Sequence, residues 1–178
     1  MEHGLFYKQS PYEGSVGVPL LMRGPGIERG RAVDVPVSLV DLYPTVLDHF
    51  GIECEPDRPG ETLLPFARGA TAPPHNDVFG EFHWNFYPES WYMIVRDRYK
   101  YVYHVNNPPQ LFDLSSDPHE LHDLADDQRV KTIRAELEAS LREVCDPESV
   151  ALRAKKDEGL IDADGNDLTA TMTQIEWE

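Results

Sequence analysis

Between residues 77 and 114 lie four short runs, "DVFGEFHW", "SWYMIVRD", "YKYVYHV" and "QLFDL", most of them rich in aromatic and β-branched residues. The gaps between them hold turn chemistry such as Asp-Arg and Asn-Asn-Pro-Pro. Side chains of this kind fit a pleated surface, so the pattern predicts four strands of an antiparallel sheet. Past Asp117-Pro118, the residues Val130, Ile133, Leu137, Leu141 and Val144 recur at helical spacing. That stripe predicts a helix lying across the sheet with its apolar side inward.

Upstream the character differs. "VPLLM", Val18 to Met22, is apolar on consecutive positions and stops at "RGPGI". A short run of that type predicts an interior parallel strand buried on both faces, so residues 1 to about 35 read as loop, helical turn and core strand of an α/β sheet. "VSLVDLYPTVLDHFG" has helical spacing, with Pro44 marking a start or a kink and Gly51 a stop. "GETLLPFARG" reads as a shorter helix, and the prolines of "ATAPPHND" place a subdomain boundary there. After Asp146 the chain turns polar, with a short helix expected around Ser149 to Lys156.

The net charge of −16 excludes one class of function. From Asp113 onward 18 acidic residues stand against 7 basic ones, the wrong sign for gripping phosphates, so no nucleic acid partner is expected. Arginines outnumber lysines 11 to 5, a composition compatible with a salt-adapted source, although a solvated acidic surface is the favoured reading. No stretch approaches roughly 18 apolar residues, and no charged and then apolar leader opens the chain. Neither a membrane span nor a signal peptide is therefore expected; Met1 is not expected to be the natural start, so the location stays open, with the cytoplasm favoured. Cys54 and Cys145 fit neither a zinc pattern nor a disulfide framework.

Several strings resemble one family, the sulfatases of the alkaline phosphatase-like superfamily. "EHGLFYKQSPYEGSVGVPLLMRGPGI" resembles the sulfatase segment in which Asp-His-Gly or Glu-His-Gly is followed by Lys, Tyr-Glu, Val-Pro-Leu and Arg-Gly-Pro-Gly. "VSLVDLYPTVLDHFGI", "GETLLPFARG" and "LFDLSSDPHELHDLAD" resemble later segments of that family in the same order, so the likeness spans roughly residues 1 to 125. It implies an α/β (α+β) class: the end of an alkaline-phosphatase-like α/β domain at 1–72, an antiparallel sheet plus helix subdomain at 73–146, and a polar tail at 147–178. A complete sulfatase uses a formylglycine nucleophile and a calcium ion held mostly by residues for which this chain has no counterpart. The resemblance is thus to a C-terminal portion, inactive alone, with no metal ligand of its own.

On that resemblance, Lys8 is the catalytic candidate. The family's lysine at this place points at the sulfate oxygens, where positive charge stabilises the leaving ester oxygen. His3 is a second candidate, able to orient the loop, contact substrate or simply bond a carbonyl. Glu13 is expected to hold its turn or pair with a base. His83 and Trp84, among the aromatics Phe86, Tyr87, Trp91 and Tyr92, are candidate substrate contacts, with sheet core as the plainer reading. Two motifs read as decoys. Cys54-Glu55-Pro56-Asp57-Arg58 fits the core of the formylglycine signature but lacks its continuation. "DADGND", Asp162 to Asp167, puts Asp167 and Thr173 where an EF-hand wants Gly and Glu, and reads as a polar turn.

Two further readings stay open. Phosphonate and phosphate ester hydrolases of the same superfamily share the His-Gly…Lys loop. A non-catalytic interaction module would instead use an unpaired strand such as "VPLLM" for self-association.

Overall fold

The computed structural model describes residues 3–4, 9–71, 77–83 and 90–169. In chain order the elements are α1 (Glu13–Val16), a 3-10 turn (Leu39–Asp41) leading into α2 (Leu42–His49), α3 (Leu64–Ala67), then the strands β1 (Asp77–Phe82), β2 (Trp91–Arg96), β3 (Tyr99–His104) and β4 (Gln110–Asp113). A second 3-10 turn (Gln128–Val130), α4 (Lys131–Val144) and α5 (Pro147–Asp157) follow. The chain divides into two compact units, one of residues 18–78 with 95–97 and one of residues 1–17, 79–94 and 98–178.

In the first of these, polar side chains knit the helices. Pro44 sits in the first turn of α2, where its missing N–H would have had no helical partner. The buried Asp41 carboxylate accepts from Ser38 N–H at 2.8 Å and from Glu61 N–H at 3.0 Å. Thr45 donates to the Asp41 carbonyl at 2.5 Å and accepts from Leu63 N–H at 2.8 Å, which fixes the approach to α3. Gly60 makes the crossing possible: at φ +94, an added Cβ would lie 2.5 Å from the Val40 carbonyl oxygen.

The expected strand at 18–22 is not formed. Val18, Leu20 and Leu21 are 51%, 41% and 94% exposed, in irregular backbone outside any ladder. The reason is physical: a strand needs a hydrogen-bonding neighbour, and the four described strands pair among themselves in the order β1-β2-β3-β4.

That sheet is the four-stranded antiparallel meander its sequence runs suggest. β3 pairs β4 with Tyr99 opposite Asp113, Lys100 opposite Phe112, Tyr101 opposite Leu111 and Val102 opposite Gln110. Alternation then sorts two faces. Tyr92, Ile94, Tyr101 and Leu111 pack with Leu137 and Leu141 of α4, while Val130 and Ile133 join at the edge and Val144 stays exposed. On the opposite side Trp91, Met93 and Val102 cluster with Phe82 and Val16. With both faces covered, "WYMIV" is buried along its whole length.

α5 is fastened to the first face by its N-terminus. Asp146 caps it by accepting from Ser149 N–H and Oγ, and the Tyr92 hydroxyl donates to the Pro147 carbonyl at 2.8 Å. Beyond the cap, Glu148 takes two hydrogen bonds from the Arg142 guanidinium, at 3.0 and 3.2 Å, and one from Tyr103 Oη. Those bonds, Arg142 first, hold its carboxyl down from the usual 4.5 to about 2. A carboxyl lowered by folding stabilises the fold above its unfolded value and loses that contribution as pH falls through the folded one. The α4–α5 junction should therefore weaken between about pH 4.5 and pH 2. Urea midpoints at pH 6 and pH 2.5 should fall further apart for the parent chain than for Glu148→Gln; equal gaps would show that this carboxylate does not contribute.

Candidate functional site

The second sheet face is where the N-terminal loop lies. Lys100, Val102 and His104 share one side of β3, and the register brings Phe112 and Gln110 of β4 beside them. A lysine in the middle of a covered strand is costly unless it is paired. Lys100 is fully buried, and its ammonium makes three contacts: the Pro11 carbonyl at 3.0 Å, Glu120 Oε1 at 2.8 Å and Glu13 Oε1 at 2.5 Å. The other oxygen of Glu120 accepts from Glu13 N–H at 2.6 Å. One buried ion pair thus grips the loop through both main chain and side chain.

Local structure delivers each partner. Glu120 lies in the "DPHE" turn after β4, where its N–H donates to the Asp117 carbonyl at 3.0 Å. Its φ of +54 turns the side chain inward, a conformation costing a non-glycine residue about 1 kcal/mol or more. Glu13 opens α1, and Gly17 closes it so tightly that a Cβ there would lie 2.6 Å from Glu13 Oε2. Trp91 adds an anchor from β2, its indole N–H donating to the Gln9 carbonyl at 3.0 Å. Tyr12 exchanges hydrogen bonds with Gln110 at 3.2 and 3.3 Å and meets Phe112 edge-on at 6.0 Å. Residues 9 to 13 are therefore held at four successive places, by side chains from three strands and the turn that follows them.

His3 belongs to this assembly. It sits at φ +50 with its ring stacked on Tyr12 at 3.8 Å, and its buried Nε2 has no hydrogen-bond partner among the described residues. Beside Tyr12 lies a shallow open depression of about 330 Å³ lined by His104, residues 107–110 and Asp123. His104 Nε2 lies 3.1 Å from Gln110 Oε1, so the polar groups at its rim form one connected set with Tyr12.

His83 does not meet His3. It follows β1, its Nδ1 2.9 Å from Ser90 Oγ, its ring edge-on to Tyr92 of the helix-covered face, and its Nε2 3.7 Å from Glu81 Oε2. Lys8 and Trp84 lie outside the described residues. Cys54 is half-buried with a free thiol in the other unit. Two of the "DADGND" carboxylates have protein partners: Asp162 accepts from the Asp164 and Asn166 N–H groups and from Asn166 Nδ2, and Asp167 accepts from Lys155 Nζ at 2.5 Å. Among the described residues, no three His, Cys, Asp or Glu side chains converge in a way that could hold a metal ion. No described helix is long and apolar enough to cross a membrane.

Sequence reasoning passed over Lys100 and Glu120 as partners. The available signal was a lysine at an interior strand position, followed by the "DPHE" string already quoted as a family segment.

Comparison with known proteins places the chain among relatives of one kind. Residues 1–146 match the family described as N-sulphoglucosamine sulphohydrolase, C-terminal. The chain is 40% identical to Arylsulfatase K of Danio rerio over 158 residues, covering 85% of this chain and 30% of that protein. It is 44% identical to Arylsulfatase K of Homo sapiens over 135 residues, covering 70% of this chain and 25% of the relative. A solved 2-O GAG sulfatase is 30% identical and superposes with a TM-score of 0.59 over 80% of this chain and 31% of its own. The chain thus spans less than a third of the length of these relatives.

Proposed function

Because this chain belongs to the sulfatase family, as a C-terminal portion, we propose that it serves a sulfate-ester hydrolase by presenting Lys8 to the sulfate and does not turn over substrate alone. The observation that carries the reading is the four-point seating of residues 9 to 13 on the sheet face. A loop that offers charge to a reacting ester must be fixed before the reaction begins, since a donor that has to reorganise stabilises little.

In this reading the Lys8 ammonium faces the sulfate and offsets the negative charge that gathers on the departing ester oxygen. The sheet's part is to hold the backbone that carries Lys8, and His3, packed on Tyr12, stiffens the start of the same loop. Formylglycine and calcium, which the family uses, would supply the nucleophile and hold the sulfate in the full-length protein; among the described residues no three His, Cys, Asp or Glu side chains converge to hold a metal ion. The exposed residues Val18, Leu20, Leu21, Leu39 and Phe50 give an isolated chain an apolar surface for self-association.

The test is substrate choice by the full-length protein that carries this segment. Turnover of an aryl sulfate, and of 2-O-sulfated glycosaminoglycan fragments, should exceed turnover of an aryl phosphonate monoester by at least about tenfold in kcat/KM. A preference for the phosphonate would replace the sulfatase reading with the phosphonate hydrolase one.

A further inference from the structure

Three side chains of the sheet subdomain reach the loop's main chain at alternate residues. Trp91 of β2 donates to the Gln9 carbonyl, Lys100 of β3 donates to the Pro11 carbonyl, and Glu120 accepts from the Glu13 N–H. Contacts to main chain fix a backbone position whatever side chains the loop carries. All three anchors are buried, at 4%, 0% and 2% exposure, so a lost bond leaves the anchor's polar group with poor access to water. Gln9 follows Lys8 directly, its Cα about 3.8 Å away by covalent geometry, so a shift of the Gln9 carbonyl is passed to Lys8.

Glu120 carries a further constraint on position. It is held in a left-handed conformation at φ +54, and it spends both carboxylate oxygens inward, one on Lys100 and one on Glu13 N–H. Packing alone would be satisfied by an apolar residue at this place; a bridge between strand and loop requires the carboxylate.

We propose that Trp91 and Glu120, acting with Lys100, are positioning residues of the sulfuryl-transfer site, setting where Lys8 stands; this rests on the sulfatase reading of Lys8. They touch the loop and not the substrate. Losing one should therefore lower kcat while leaving KM nearly unchanged, because Lys8 is asked for most in the transition state.

The experiment compares Trp91→Phe, Glu120→Gln and Lys8→Ala with the parent full-length protein on an aryl sulfate. Trp91→Phe removes the indole N–H bond together with one ring of a buried side chain, and keeps a ring to stack on Phe82, which lies 5.7 Å away. Trp91→Phe and Glu120→Gln should each lose about 10- to 100-fold in kcat with KM changed less than about 3-fold. Amide exchange at residues 9–13 should accelerate in both variants, and in Trp91→Phe β3 and β4 should keep their protection. An intact rate in Lys8→Ala sinks the sulfatase reading and this proposal with it. A rate lost in Lys8→Ala but kept in Trp91→Phe and Glu120→Gln sinks the proposal alone. Unaccelerated exchange at 9–13 overturns it whatever the turnover, and so does a loss of rate that merely follows loss of protection throughout the sheet.

Discussion

Lys100→Met is expected to destabilise the sheet subdomain by about 3–5 kcal/mol, the cost of stranding a buried charge. Methionine keeps most of the lysine stem, so lost packing is a minor part of the effect. What disappears is the cation between two carboxylates, 2.8 Å from Glu120 and 2.5 Å from Glu13. Glu13 is 39% exposed and can turn to water, but Glu120 is wholly enclosed and is left with the Glu13 N–H. The double variant Lys100→Met with Glu120→Gln should recover most of the loss, because a neutral pair in a buried site costs far less than one unpaired ion. Urea unfolding of the single and double variants measures this. If the double variant is no more stable than Lys100→Met alone, the stranded carboxylate is not the cause, and the pair is not what holds this face together.

The sheet could be read from sequence because each strand carries its own signature. Aromatic and β-branched runs broken by turn residues define β1 to β4 without reference to anything distant, and short connections leave a meander as the simplest topology. The α4 stripe is legible for the same reason: Leu137 and Leu141 mark its inner face by spacing alone. "VPLLM" carried an equally local signal and misled, because a strand is a relation between two segments. An apolar run says what it would bury, and nothing in it says whether a ladder is within reach.

The clamp was hidden by a similar limit. On β3 the tyrosines 99, 101 and 103 look like the inward set, which makes Lys100 look outward. Only the burial of Val102 and the facing of Phe112 across the register reveal a second covered face. Glu13 was recognisable as a residue that pairs with a base. The base that joins it also binds Pro11, 89 residues away in sequence, and no spacing rule reaches that far. Nothing local in the sequence marks the role of Gly17, whose closeness to Glu13 shows that it leaves room for the carboxylate to fold back.

The other large effect is expected at Lys8. In the full-length protein Lys8→Ala should lower kcat by about 10²–10³, since one well-placed donor to developing negative charge is worth roughly 3–4 kcal/mol of barrier. KM should move little if the ammonium is engaged chiefly in the transition state, and Lys8→Arg should rescue only part of the rate, because a planar guanidinium does not reproduce a point charge. The purified 178-residue chain, assayed beside it with calcium, should show no aryl sulfate turnover above buffer, since removing part of a site that acts as a unit removes nearly all of its rate. Cys54→Ala supplies the opposing case within the same assay. Turnover by the isolated chain that vanishes with Cys54→Ala would make Cys54-Glu55-Pro56-Asp57-Arg58 a working nucleophile segment. The chain would then be a hydrolase in its own right, and the division of labour argued for Lys8 would fall.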